Sequence, residues 1–297
     1  MRNLSPFALF ALLAATTLAS APSARAEGAD DQSQCVAASG VVPEQKLTSC
    51  TTAIAAGTAA SHDLAVLYAN RGNAYLNKHD LDHALGDFEA AIKLDPQYIL
   101  PLDGRGLVYQ NRGQLDRAIA DFDHAVALEP ENTTPLNFRG SAYRSKGRYD
   151  RAIQDFDRAI ALNPRFAPAF FNRALAYQDK TQWDFDAYLN EGRYEDRALK
   201  DYDEVIRIVP NNRAAFNNRG NVYVSKRQYD RAIADYDEAI KLDPSEPLYL
   251  KNRGNAFRLA SQYDRAIADF RKALTLKLDD PLKKPIETAL KQLGVSS

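Results

Sequence analysis

The feature that most constrains this chain is a pattern that returns every 34 residues. The pair Arg-Gly stands at Arg71-Gly72, Arg105-Gly106, Arg139-Gly140, Arg219-Gly220 and Arg253-Gly254, and Arg173-Ala174 fills the one rung where alanine replaces glycine. An aromatic follows three residues after each small residue, at Tyr75, Tyr109, Tyr143, Tyr177, Tyr223 and Phe257. Further along come Ala84, Ala118, Ala152, Ala198, Ala232 and Ala266, each four residues before Phe88, Phe122, Phe156, Tyr202, Tyr236 or Phe270. Pro96, Pro130, Pro164, Pro210 and Pro244 close the copies. Within Phe216 to Pro244, apolar and small residues fall at Phe216, Gly220 and Tyr223, then at Ala232, Tyr236 and Ala239. That is the spacing of two amphipathic helices, joined here by the polar turn Ser225-Lys226-Arg227-Gln228. A helix pair this short cannot bury its apolar faces alone, so the copies must stack on one another.

The small residues have a packing reason. Gly220 at the crossing of two helices, with Ala232 and Ala239 facing it, lets the backbones approach while Tyr223 and Tyr236 fill the remaining space. A leucine at Gly220 or Ala232 should overpack the pair at a cost of about 1–3 kcal/mol.

The order Gly, Tyr, Ala, Phe, Pro in a helix-turn-helix of this length resembles the tetratricopeptide repeat. The resemblance implies an all-α fold, a right-handed α-solenoid of helix-turn-helix repeats. Six repeats are expected at 65–98, 99–132, 133–166, 167–212, 213–246 and 247–280. A degenerate helical unit at 27–64 should precede them, and a capping helix at 281–297 should follow. The cap carries Leu282, Ile286, Ala289, Leu290 and Leu293 on one side and Lys283, Lys284 and Lys291 on the other.

The fourth repeat is longer than the others, with 12 extra residues between Tyr177 and Ala198. Ala187-Tyr188-Leu189-Asn190 copies Ala74-Tyr75-Leu76-Asn77, and Tyr188 lies 11 positions after Tyr177, about three helical turns. This spacing predicts a first helix prolonged by three turns, with one extra residue in the turn at Gly192; a loop through Gln182-Trp183-Asp184 is the alternative.

Charges repeat in register as well. Each arginine of the Arg-Gly ladder has a counterpart in the second helix, at Asp87, Asp121, Asp155, Asp201, Asp235 and Asp269. Six copies point to an architectural Arg–Asp ladder, in which removing one partner of a buried pair should cost about 3–5 kcal/mol.

Residues 1–26 combine Arg2, an apolar run from Phe7 to Leu18 and Ala24-Arg25-Ala26 before Glu27, the plan of a secretory signal peptide cleaved near Ala26. The run is too short for an ordinary membrane span, and no later stretch approaches one. The expected product is exported, to the periplasm or beyond. In an oxidising compartment the only two cysteines, Cys35 and Cys50, are expected to form a disulfide that staples the leading helical unit. The formal net charge is −1 with both signs alternating along the chain, so the basic footprint of a nucleic-acid binder is missing.

The sequence offers no catalytic constellation. His79 and His83 have a zinc-compatible spacing, but the motif supplies no third ligand and His79 falls in a turn, so no metal or other cofactor is expected. The acids are periodic, as on faces and ladders, and the expected protein is not an enzyme.

The resemblance implies instead a non-catalytic scaffold that holds a peptide or another protein against a concave groove lined by first-helix residues. Carried over position by position, that lining includes Ala69, Asn70 and Asn73; Asp103 and Leu107; Asn137, Phe138 and Ser141; and Phe171, Asn172 and Leu175. In the last two repeats it includes Asn217, Asn218, Asn221, Lys251, Asn252 and Asn255. A column of asparagines can donate to and accept from a peptide backbone whatever its side chains. Phe138 and Phe171 would serve as apolar anchors, and Trp183 would lie toward the groove on the prolonged helix. Family members that clamp a terminal carboxylate pair such asparagines with basic residues; here Asn221 and Asn252 match, whereas Asn217, Leu282 and Ile286 stand in the basic places. A structural, self-assembling role through the ends or outer face of the array is the alternative function.

Overall fold

A computed structural model describes residues 24–37, 42–183, 193–276 and 280–295. The expected signal peptide lies almost entirely outside them. Every regular element among the described residues is a helix, fifteen in all. The chain divides into two compact parts, Met1–Asp95 and Pro96–Ser297.

The N-terminal part holds α1 (Ala24–Val36), α2 (Pro43–Ala56), α3 (Ser61–Asn77) and α4 (Leu81–Leu94). Cys35 on α1 and Cys50 on α2 are joined by a disulfide, and both are buried against Ala53 and Leu67. The staple therefore holds the leading helix pair onto α3, the first helix of the first repeat.

The C-terminal part holds α5 (Ile99–Asn111), α6 (Leu115–Leu128), α7 (Thr133–Ser145), α8 (Tyr149–Leu162) and α9 (Ala167–Trp183). It continues with α10 (Arg193–Ile208), α11 (Arg213–Ser225), α12 (Tyr229–Leu242), α13 (Pro247–Leu259), α14 (Tyr263–Thr275) and α15 (Asp280–Gln292). Each first helix packs on the second helix of its own repeat, and each second helix on the first helix of the next. The cap α15 closes the row with Ile286, Ala289 and Leu290 buried beside Phe257 and Phe270.

The glycine ladder has the packing role its spacing suggested. A Cβ added at Gly106 would lie 2.5 Å from the Phe122 ring, and one at Gly220 would lie 2.8 Å from Tyr236. The second-helix aromatic therefore rests directly on the first helix's backbone. In the fourth repeat Ala174 replaces the glycine and shares a buried cluster with Tyr202, whose hydroxyl donates to Gln178.

Inside the hairpins whose turns are described, the turn is a Schellman motif. Gln114 N–H donates to Tyr109 C=O, Arg148 N–H to Tyr143 C=O and Gln228 N–H to Tyr223 C=O, each at 2.8 Å. The residue just before is left-handed, a glycine at Gly113 and Gly147 but an arginine at Arg227 with φ 58°.

The prolongation of α9 is present through Trp183, about one turn beyond the corresponding ends of α5 and α7. Gln182 and Trp183 are helical, so the loop alternative does not apply to them. The remaining turns of the expected extension, and the turn at Gly192, lie outside the described residues.

Candidate functional site

All six arginines of the ladder grip their aspartates with two nitrogens of the guanidinium, Nε and Nη2. Arg219 donates from Nε to Asp235 at 2.8 Å and from Nη2 at 2.6 Å, and Arg71, Arg105, Arg139, Arg173 and Arg253 repeat the fork on Asp87, Asp121, Asp155, Asp201 and Asp269. The aspartates are buried. Burial pushes the Asp235 and Asp201 carboxyls up, against the pull of their arginines, while the paired aspartate raises Arg219. The third nitrogen of the fork ties repeats together. Nη1 of Arg139, Arg173, Arg219 and Arg253 meets Asp123, Asp157, Asp203 and Asp237 on the preceding second helix. Reading the sequence alone misses these second acids, although Asp-Phe-Asp or Asp-Tyr-Asp recurs at 121–123, 155–157, 201–203 and 235–237. The ladder is architecture, and it sets the angle at which first helices present their other face.

In the N-terminal part that face is α3. Ala69 is buried, Asn73 is half-buried, and Asn70 donates from Nδ2 to Val66 C=O of its own helix at 2.9 Å. His83 stacks on Tyr75 and bonds Asp80, while His79 occupies the left-handed turn position.

In the C-terminal part the asparagines bond chiefly to one another. Asn137, Asn217 and Asn252 are buried. Asn172 Nδ2 donates to Asn137 Oδ1 at 2.9 Å, and Asn252 Nδ2 donates to Asn217 Oδ1 at 2.8 Å. Asn217 in turn donates to Asn218 Oδ1 at 3.1 Å, and Lys251 Nζ donates to Asn252 Oδ1 at 3.2 Å. Burial lowers the Lys251 pKa. Asn221 accepts from the Tyr236 hydroxyl at 2.7 Å and borders a pocket of about 300 Å³ with Gln178, Thr181, Glu195, Val222 and Ser225. Asn255 and Leu175 are half-buried on the same helices. Much of the asparagine column thus locks successive first helices together.

The two phenylalanines part company. Phe138 packs with Leu107 against Phe122, ring centres 5.7 Å apart, and spends much of its surface on the hairpin core. Phe171 sets its ring edge on Tyr202 and also lines a largely apolar pocket of about 390 Å³ with Ala167, Pro168, Asn172, Val209, Asn212 and Ala214. This pocket lies between the N-terminal halves of α9 and α11. Trp183 ends α9, and its side chain lies outside what the structure describes.

One group on this face lacks the partner its register predicts. Asp103 on α5 occupies the place of Asn137 and Asn217, is 5% exposed, and its Oδ1 has no hydrogen-bond partner. Burial, reinforced by the Glu129 charge, pushes its pKa up to about 7. No group of three or more His, Cys, Asp or Glu among the described residues could hold a metal ion.

Family models match along the same ladder. A model described as TPR repeat matches residues 140–180, one described as Tetratricopeptide repeat matches 65–98 and 214–246, and another so described matches 103–132 and 252–280. Among solved structures, a tetratricopeptide repeat protein from Parabacteroides merdae is similar with 20% identity and a TM-score of 0.62, over 84% of this chain and 92% of that one. PilF of Pseudomonas aeruginosa matches with 17% identity and a TM-score of 0.62, over 77% and 98%. A thermophilic TPR protein of Thermus thermophilus matches with 22% identity and a TM-score of 0.55, over 65% and 100%. At these identities the likeness is one of fold. No curated protein matches the chain.

Proposed function

Because this chain belongs to the tetratricopeptide repeat family, whose fold generally serves as a scaffold for contacts between proteins, we propose that it is a non-catalytic adaptor holding a partner against its first helices. The observation that carries this reading is the pocket at Phe171. It has room for an apolar side chain, and at its border Asn172, whose Nδ2 is spent on Asn137, and Asn212, whose Oδ1 caps α11 at Ala215 N–H, each keep a second amide atom of the kind that bonds a backbone. An extended segment with one large apolar residue fits that chemistry. The ladder and the asparagine locks serve this role by fixing the helices before the partner arrives, which lowers the ordering cost of binding.

We further propose that the protein acts after export. The buried Cys35–Cys50 bridge supports that reading, because such bonds persist in oxidising compartments, and so does the leader-like composition of residues 1–26.

The test is capture from the native envelope fraction by wild type and by Phe171→Ala, with light scattering on the purified proteins. The expected result is a monomer that retains a stoichiometric partner, which the variant loses. Identical retention by both proteins would refute the pocket. A stable oligomer insensitive to Phe171→Ala would instead support self-assembly.

A further inference from the structure

Two repeats share a first-helix contact that Asp103, in the same register, lacks. Asn137 and Asn217, in the same register, each accept a hydrogen bond from an amide on the following first helix, supplied by Asn172 and Asn252. The residue that should serve Asp103 in this way is Phe138, which has no donor. Asp103 is nevertheless buried, with Pro101, Leu102 and Gly104 buried around it in α5. A buried carboxylate oxygen without a donor carries a desolvation cost that nothing in the chain offsets. Around it the chemistry favours positive charge. Glu129 sits at the C-cap of α6, exposed and bonded by Asn132, near enough to repel a second negative charge on Asp103. The ring of Phe138 is half-buried, and an aromatic face is a site for a cation. In the matching register two repeats along stand Phe171 and Val209, so the same place is acidic near α5 and apolar near α9.

We infer that Asp103 recognises a lysine ammonium or arginine guanidinium on the partner segment, seated over the Phe138 ring in the place from which Asn172 reaches Asn137. This rests on the adaptor reading and narrows it to a partner whose bound stretch carries both a basic and a large apolar residue. The cation donates to the carboxylate and lies on the ring, and Glu129 reinforces it from the rim.

The test uses the full chain and a library of capped nonapeptides, each with one phenylalanine and with lysine, arginine, norleucine or glutamate at every other position in turn. Wild type should hold the best lysine or arginine peptide at least about tenfold more tightly than its norleucine counterpart, and glutamate peptides least of all. Asp103→Asn, which places there the residue two other repeats already use, should retain the phenylalanine-dependent binding and reduce that preference to less than about twofold. A cation preference that survives Asp103→Asn overturns the assignment. So does phenylalanine-dependent binding by wild type with no cation preference, which leaves the adaptor reading standing. Failure to retain any peptide rejects both.

Discussion

Replacing Asp103 by asparagine provides a direct measure of what an unpartnered acid costs this fold. The carboxyl is held protonated up to about pH 7, against the ordinary value of 3.8, so the folded chain keeps a proton that the unfolded chain releases. Stability linked to this group is therefore full in acid and falls as pH rises through the interval between those two values. Carried through the linkage relation, the folded state should lose about 2.5 kcal/mol from this residue alone between about pH 5 and about pH 8. Asparagine cannot ionise and nearly preserves the shape, so the variant should lack that loss while keeping every other titration of the chain. Urea unfolding followed by far-UV circular dichroism at the two pH values, for wild type and Asp103→Asn, isolates the contribution as a difference of differences. Wild type should weaken relative to the variant as pH rises. Parallel pH dependences in the two proteins would refute the reasoning, because they would mean that the carboxyl finds a donor or solvent in the folded state.

Two further outcomes follow from the ladder and the staple. Arg219→Ala strands the buried Asp235 and should cost about 3–5 kcal/mol in urea unfolding, whereas Asp203→Ala, which removes only the exposed acid of the same tripod, should cost less than about 1 kcal/mol. Replacing Cys35 and Cys50 together by serine opens a loop with a sequence separation of 15, and should destabilise the N-terminal part by about 3 kcal/mol. Amide hydrogen exchange should then quicken in α1 and α2 while α11 to α14 keep their protection.

The architecture was legible because its signals are redundant. The residue that must admit an aromatic ring has to be small, and a glycine, or Ala174 in the fourth repeat, recurs where the ring recurs, from Gly72 with Phe88 to Gly254 with Phe270. The Arg–Asp pairs were equally plain, since a separation of 16 repeated everywhere but in the fourth repeat leaves little but a bonded ladder. The inter-repeat acids were harder to see: Asp123 and Asp203 are half exposed and look like ordinary surface charge until the stacking brings an arginine to them. The candidate site was the least legible. An asparagine's partner in the next repeat is chosen by packing, so Asn172 reads as a ligand contact in sequence and as a lock on Asn137 in the fold. Asp103 stands out only when its neighbour's inability to donate is set beside its burial. The Phe171 pocket owes two of its walls to Val209 and Ala214, whose contribution depends on where the next repeat lands.

The fourth repeat shows how much length this architecture tolerates. Arg173 and Asp201 stand 28 residues apart instead of the 16 separating Arg219 and Asp235, yet the fork between them has the same geometry. The surplus falls between the two partners of the fork in sequence, and the fork still closes. The interval between Arg173 and Asp201 is accordingly a natural splice point: a reporter or affinity module inserted into it should leave their fork closed.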